Sequence, residues 1–97
     1  TNMPYMFKNC KSLTTLDLSS FDTSNVLYMH EMFGGCTKLM SLDLSSFNTS
    51  KVIYMHEMFY DDSKLKTIYV GNNWVINSNA KTTDMFYNCG TSSVTHK

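Results

Sequence analysis

Hydrophobic positions recur along the chain in two alternating rhythms. Val26, Met29, Met32, Phe33 and Cys36 fall at i, i+3, i+6, i+7 and i+10, a spacing that places them on one face of a predicted helical segment. Thr23 or Ser24 stands where an N-cap hydroxyl would accept a bond from a free first-turn amide. Gly34-Gly35 then ends the segment, with Lys8-Asn9, Tyr60-Asp61 and Tyr87-Asn88 in the same place elsewhere, because a left-handed residue is easiest for glycine and next for asparagine. The second rhythm is strand-like. Leu13, Leu16 and Leu18, repeated as Leu39, Leu42 and Leu44, follow L-x-x-L-x-L, so that Leu16 and Leu18 point inward while Thr15, Asp17 and Ser19 point out. Phe21 and Phe47 close the strand, and Asp22-Thr23-Ser24 or Asn48-Thr49-Ser50 turns the chain into the next segment.

Both rhythms are copies of one motif. Met6-Phe7, Met32-Phe33 and Met58-Phe59 are spaced 26 residues apart, and Met85-Phe86 follows 27 residues later. A period of this size is the mark of stacked supersecondary units, none of which buries its apolar face alone. The expected fold is an α/β solenoid of about three helix–strand coils, with a narrow parallel sheet on one side and helices on the other. The copies divide as residues 1–26, 27–52 and 53–79, with a truncated unit at 80–97, and no linker separates them. The third copy departs from the motif: Ile68-Tyr69-Val70 replaces Leu-Asp-Leu, Gly71-Asn72-Asn73 adds a residue, and Trp74 stands where Phe is expected. The last unit keeps Asp84-Met85-Phe86-Tyr87-Asn88-Cys89 but loses its leucines, which predicts a C-terminal cap. The first copy starts mid-pattern, so its outer edge is expected to be covered by further repeats N-terminal to it, in a longer protein of which this is a fragment.

Composition narrows the function classes. Eight basic residues balance eight acidic ones, which removes the counterion-release argument for nucleic acid or for an anionic membrane. Charged residues are 16% of the chain, below the usual quarter, and Ser, Thr and Asn supply the polar surface, as suits an exported protein. No apolar run reaches the length of a membrane span, so membrane insertion by this segment is not expected. Cys10, Cys36 and Cys89 share one column of the motif, with Asp62 in that place in the third copy. They read either as stacked small thiols or, for Cys10 and Cys36, as a bridge between neighbouring coils.

The consensus V-x-x-M-x-x-M-F-x-x-C-x-x-L-x-x-L-D-L-S-x-F-x-T-S closely resembles the 26-residue repeat of bacterial surface proteins, the BspA-like leucine-rich-repeat family. The resemblance covers almost the whole chain, with Asp62 in place of Cys and the extra residue near Trp74 as departures. It implies a leucine-rich-repeat-like, non-catalytic module at the bacterial cell surface, extracellular and lipid- or wall-anchored through parts outside this segment. It further implies an adhesin or lipoprotein whose partner is a host protein or glycan.

Four groups of residues compete for that role. The outward strand column Asp17, Asp43 and Tyr69, flanked by Thr15, Ser41 and Thr67 and by Ser19 and Ser45, is the surface that stacked repeats offer to partners; the same residues could equally bond across coils and solvate the sheet. His30-Glu31 and His56-Glu57 occupy equivalent places in adjacent copies, where stacking would gather two imidazoles and two carboxylates into a divalent-metal site. The methionines are assigned to the core. Leu27 and Ile53, beside Tyr28 and Tyr54, form an apolar column that either docks a partner or tucks between coils. Catalysis has no sequence support: no G-x-S-x-G, no phosphate-cradling glycine loop and no C-x-x-C is present, and no cofactor is expected.

Overall fold

A computed structural model describes residues 2–96; Thr1 and Lys97, the outermost residues of the first and last repeats, lie outside the described residues. The described residues contain no helix, which overturns the α/β solenoid of helix–strand coils. The chain instead stacks coils made of turns, which carry one parallel sheet of three short strands. These are β1 (Ser41–Leu44), β2 (Thr67–Val70) and β3 (Thr95–His96), in the order β1-β2-β3.

Backbone conformation explains why the segment expected to be helical is not. Two columns of the repeat are left-handed: Tyr5, Glu31, Glu57 and Asp84 have φ of 62°, 56°, 57° and 54°, and Asn9, Gly35, Asp61 and Asn88 have φ of 61°, 78°, 63° and 54°. An α-helix needs φ near −63° throughout, so a left-handed residue at both ends of a five-residue stretch leaves no room for it. The amides are satisfied differently. Met29, Glu31, Phe33 and Gly35 donate to the carbonyls of Tyr54, His56, Met58 and Tyr60 in the following coil, at 2.8, 3.0, 3.0 and 2.7 Å. Met32, Gly34 and Cys36, between them, donate three residues back to Met29, Glu31 and Phe33 at 3.2–3.4 Å. Backbone pairing is thus shared between turn and neighbouring coil, and no orphaned helical ends need capping. Thr23 and Thr49 are accordingly not N-caps. Buried Thr23 Oγ1 donates to the Asn48 carbonyl at 3.0 Å and accepts from the Asn48 amide at 2.8 Å, and Thr49 does the same to Val75 at 2.7 and 2.6 Å.

Inward side chains form continuous columns. Phe7, Phe33, Phe59 and Phe86 stack with ring centroids 5.6, 5.8 and 5.5 Å apart, within the range that offset aromatic pairs favour. Met29, Met32, Met55, Met58, Leu39, Leu42, Leu44 and Phe47 are buried around them, and each such side chain contributes about 1.5–3 kcal/mol by leaving water. The parallel register pairs Ser41 with Thr67, Leu42 with Ile68, Asp43 with Tyr69 and Leu44 with Val70. In the first coil Leu16 and Leu18 lie against this sheet without joining its ladder. The last turn adds Thr95–His96 to β2, and beside it a cavity of about 330 Å³ opens between Trp74, Phe86 and Val94. No described helix is long and apolar enough to cross a membrane.

Candidate functional site

Period-two alternation sends Leu42, Leu44, Ile68 and Val70 into the core, so Ser41, Asp43 and Tyr69 face outward and Thr67 is half-buried beside them. Asp43 and Tyr69 are register partners, and Thr95 follows Tyr69 on β3. The outcome is a short ladder of a carboxylate, a phenol and a hydroxyl across three strands. At the ends of the outward column, Asp17 Oδ1 accepts from the Ser19 hydroxyl (2.7 Å) and amide (3.0 Å), and Asp43 Oδ1 accepts from the Ser45 amide at 2.9 Å. Those bonds from Ser19 hold the Asp17 carboxyl below the usual carboxylate range. Asp17, Ser19, Asp43 and Ser45 come together around a cavity of about 70 Å³, room for roughly two waters. Thr15 is exposed but stands outside the paired strands. The face can offer fixed acceptors, hydroxyls and one aromatic plate to a ligand.

The histidines and glutamates of the second candidate are parted. His30 and His56 stack with centroids 4.7 Å apart and planes within 10°. Tyr5, Tyr28 and Tyr54 meet His30 edge-on at 4.9, 6.2 and 5.8 Å. Both Nδ1 atoms are buried and without a hydrogen-bond partner. Burial and the neighbouring His56 push the His30 pKa down, against the opposing charge of Glu31. Glu31 and Glu57, turned by their left-handed backbone, line a separate groove with Lys8 and Asp61, and Lys8 Nζ contacts Glu31 Oε1 at 2.6 Å. Among the described residues no group of three or more His, Cys, Asp or Glu is placed to hold a metal ion. Leu27 is 41% exposed, whereas Ile53 is half-buried.

Two features escaped the sequence reading. One is the pair of threonine clamps at Thr23 and Thr49, whose hydroxyls in the sequence look the same as helix caps. The other is Asp62. Its carboxylate is fully buried, Oδ1 accepts from the Cys36 amide at 2.8 Å, and Oδ2 has no partner. Burial pushes its pKa up to about 8, so that the neutral acid is held at and below neutral pH. Cys10, Cys36 and Cys89 are free thiols; burial, with Asp62 beside it, pushes Cys36 up to about 12, which makes it a packed and unreactive group.

No curated protein and no solved structure matches the chain. A family model described as "Mycoplasma protein of unknown function, DUF285" matches residues 1–96, spanning all four copies of the motif. The chain therefore belongs to the DUF285 family.

Proposed function

We propose that this chain is a non-catalytic, extracellular module of a bacterial cell-surface protein that binds a host protein or glycan through the outward face of its sheet. The observation that carries this reading is the in-register pair Asp43 and Tyr69, flanked by Ser41 and Thr67. An aromatic ring beside hydroxyls and a carboxylate is the side-chain set that stacks on a sugar ring or a peptide plane while bonding its polar edge. Resemblance to the surface-protein 26-residue repeat supports the location. The probes are a printed glycan array and a panel of immobilised host extracellular-matrix proteins. For whichever probe binds, Asp43→Lys and Tyr69→Ala are expected to weaken affinity by about tenfold or more with unchanged melting temperature. Unaltered affinity in both variants would remove the site from this face.

A second reading, a structural spacer that projects another domain from the envelope, is favoured by the local bonds of the same residues. Asp17 and Asp43 each use an oxygen to fasten the strand end to Ser19 or Ser45, as Asp22 and Asn48 fasten Ser24 and Ser50. Under that reading no probe binds, and removal of one 26-residue coil shortens the molecule without loss of the parent's activity.

A further inference from the structure

Charge is unevenly spread along each coil, and the stretch that leads from the turns into the strand is one-sided. Residues 36–42 and 62–68 carry three exposed lysines, Lys38, Lys64 and Lys66, and a single acid, Asp62. Asp62 is fully buried and held neutral at neutral pH, so this stretch shows only positive charge to water. The other carboxylates lie elsewhere in the repeat, with Asp17 and Asp43 on the sheet face and Glu31, Glu57 and Asp61 along the groove of the turns. In the first coil Lys11 holds the place equivalent to Thr37, next to Lys38 in the repeat.

Pairing on both sides fixes how these lysines meet. The Cys36 amide donates to Asp62 Oδ1 at 2.8 Å, the Lys66 amide donates to the Met40 carbonyl at 2.9 Å, and Ser41 is in register with Thr67. Lys38 and Lys64 therefore stand across from one another in neighbouring coils, and Lys66 across from Met40, with backbones at the strand spacing of about 4.8 Å. Like charges placed opposite each other in this way are destabilising. Among the described residues the one ion pair is Lys8 with Glu31, so no carboxylate of the described chain pairs with the three lysines. A bound anion would remove the cost of their repulsion.

The make-up of the strip narrows the kind of anion. Its cations are distributed over consecutive coils, which matches a chain of negative charges better than one small ion. It holds no aromatic side chain, so it offers no platform on which bases would stack. Met40, 64% exposed, is its one exposed apolar side chain, too little to bury in a membrane surface. Exposed Ser63 and half-buried Thr37, each next to a lysine, suit the hydroxyls of a sugar. From this we infer that the lysine strip binds a sulfated glycan, laid across the second and third coils so that its sulfates meet Lys38, Lys64 and Lys66. The strip is separate from the Asp43–Tyr69 face, whose carboxylate would repel a sulfate, and it stands independently of the function proposed for that face.

Heparin is the probe, with desulfated heparin and phosphatidylglycerol vesicles beside it. The chain is expected to bind heparin with an affinity that falls steeply as salt rises, and to bind desulfated heparin far more weakly. Combining Lys38→Gln, Lys64→Gln and Lys66→Gln keeps side-chain length and removes the charge; it is expected to weaken heparin binding by about tenfold or more without lowering the melting temperature. Lys51→Gln, at an exposed lysine outside the strip that bonds Asn25, is expected to leave binding unchanged. No binding to heparin, equal affinity for the desulfated form, unchanged affinity in the triple variant, or capture by the vesicles in place of heparin would overturn the inference.

Discussion

Asp62 shows how one residue can set the pH response of the whole stack. It occupies a column otherwise held by cysteine, with Oδ2 buried and unpartnered, so ionising it would leave a charge in a place with no counter-ion. The folded state holds its proton to about pH 8, against an ordinary value of 3.8, while the unfolded chain releases it near that ordinary value. Between those two pH values the folded state binds more protons, so stability is fully present below the lower value and is lost as pH rises toward the upper one. Thermal or urea unfolding across this window is expected to show a decline of about 6 kcal/mol. Asp62→Asn keeps an Oδ1 acceptor for the Cys36 amide and does not titrate, so its stability should lack this decline over the same range. A wild-type curve that runs parallel to that of the variant would show that Asp62 is not buried as described.

At the scale of the element, the contest is between a helix and a chain of turns, and Glu57 decides it. With φ at 57°, this residue carries the steric cost of the left-handed region, about 1–2 kcal/mol for a residue with a Cβ. Glu57→Gly removes that cost and adds back some unfolded-state entropy, for an expected net gain of about 0.5–1 kcal/mol in chemical denaturation. In a helix the same change would lose about 1 kcal/mol. A loss of that size would contradict the turn structure. The helix was expected because apolar residues at intervals of three and four serve a sequence of three-residue turns as well as a helical face, and periodicity alone does not separate them. The column Asn9, Gly35, Asp61 and Asn88 did announce its left-handed backbone through residue type, but it reads the same as a helix end. The column Tyr5, Glu31, Glu57 and Asp84 announces nothing through residue type; at Tyr5, Glu31 and Glu57 the amide is bonded to the next coil, and Asp84 keeps the same left-handed backbone in the last one. The inward positions were legible, since burial of Leu42, Leu44, Ile68 and Val70 follows from alternation alone. So was the outward placing of Asp43 and Tyr69. Parting of the histidines from the glutamates was not, because it depends on the left-handed turn that separates His30 from Glu31.

Over the whole molecule, stability is a sum over neighbouring coils, so position in the stack matters as much as residue type. Phe33 lies between Phe7 and Phe59 and is fully buried, whereas Phe7 has a ring on one side of its column only. Phe33→Ala is expected to cost about 3–5 kcal/mol and to unfold the stack as a unit. Phe7→Ala should cost about 1–2 kcal/mol and chiefly loosen the first coil. Amide hydrogen exchange gives the same map without substitution: the Phe33 and Glu31 amides should be among the slowest, and those of Thr82 and Asp84 among the fastest. Equal protection in the first, middle and last coils would argue against a stack held together by nearest neighbours. Trp74, the single tryptophan of the chain, lies 7% exposed on the wall of the end cavity. Its indole is therefore an intrinsic optical gauge of that end: fluorescence colour and quenching by iodide report whether water or side chains fill the cavity, with no label attached to the protein.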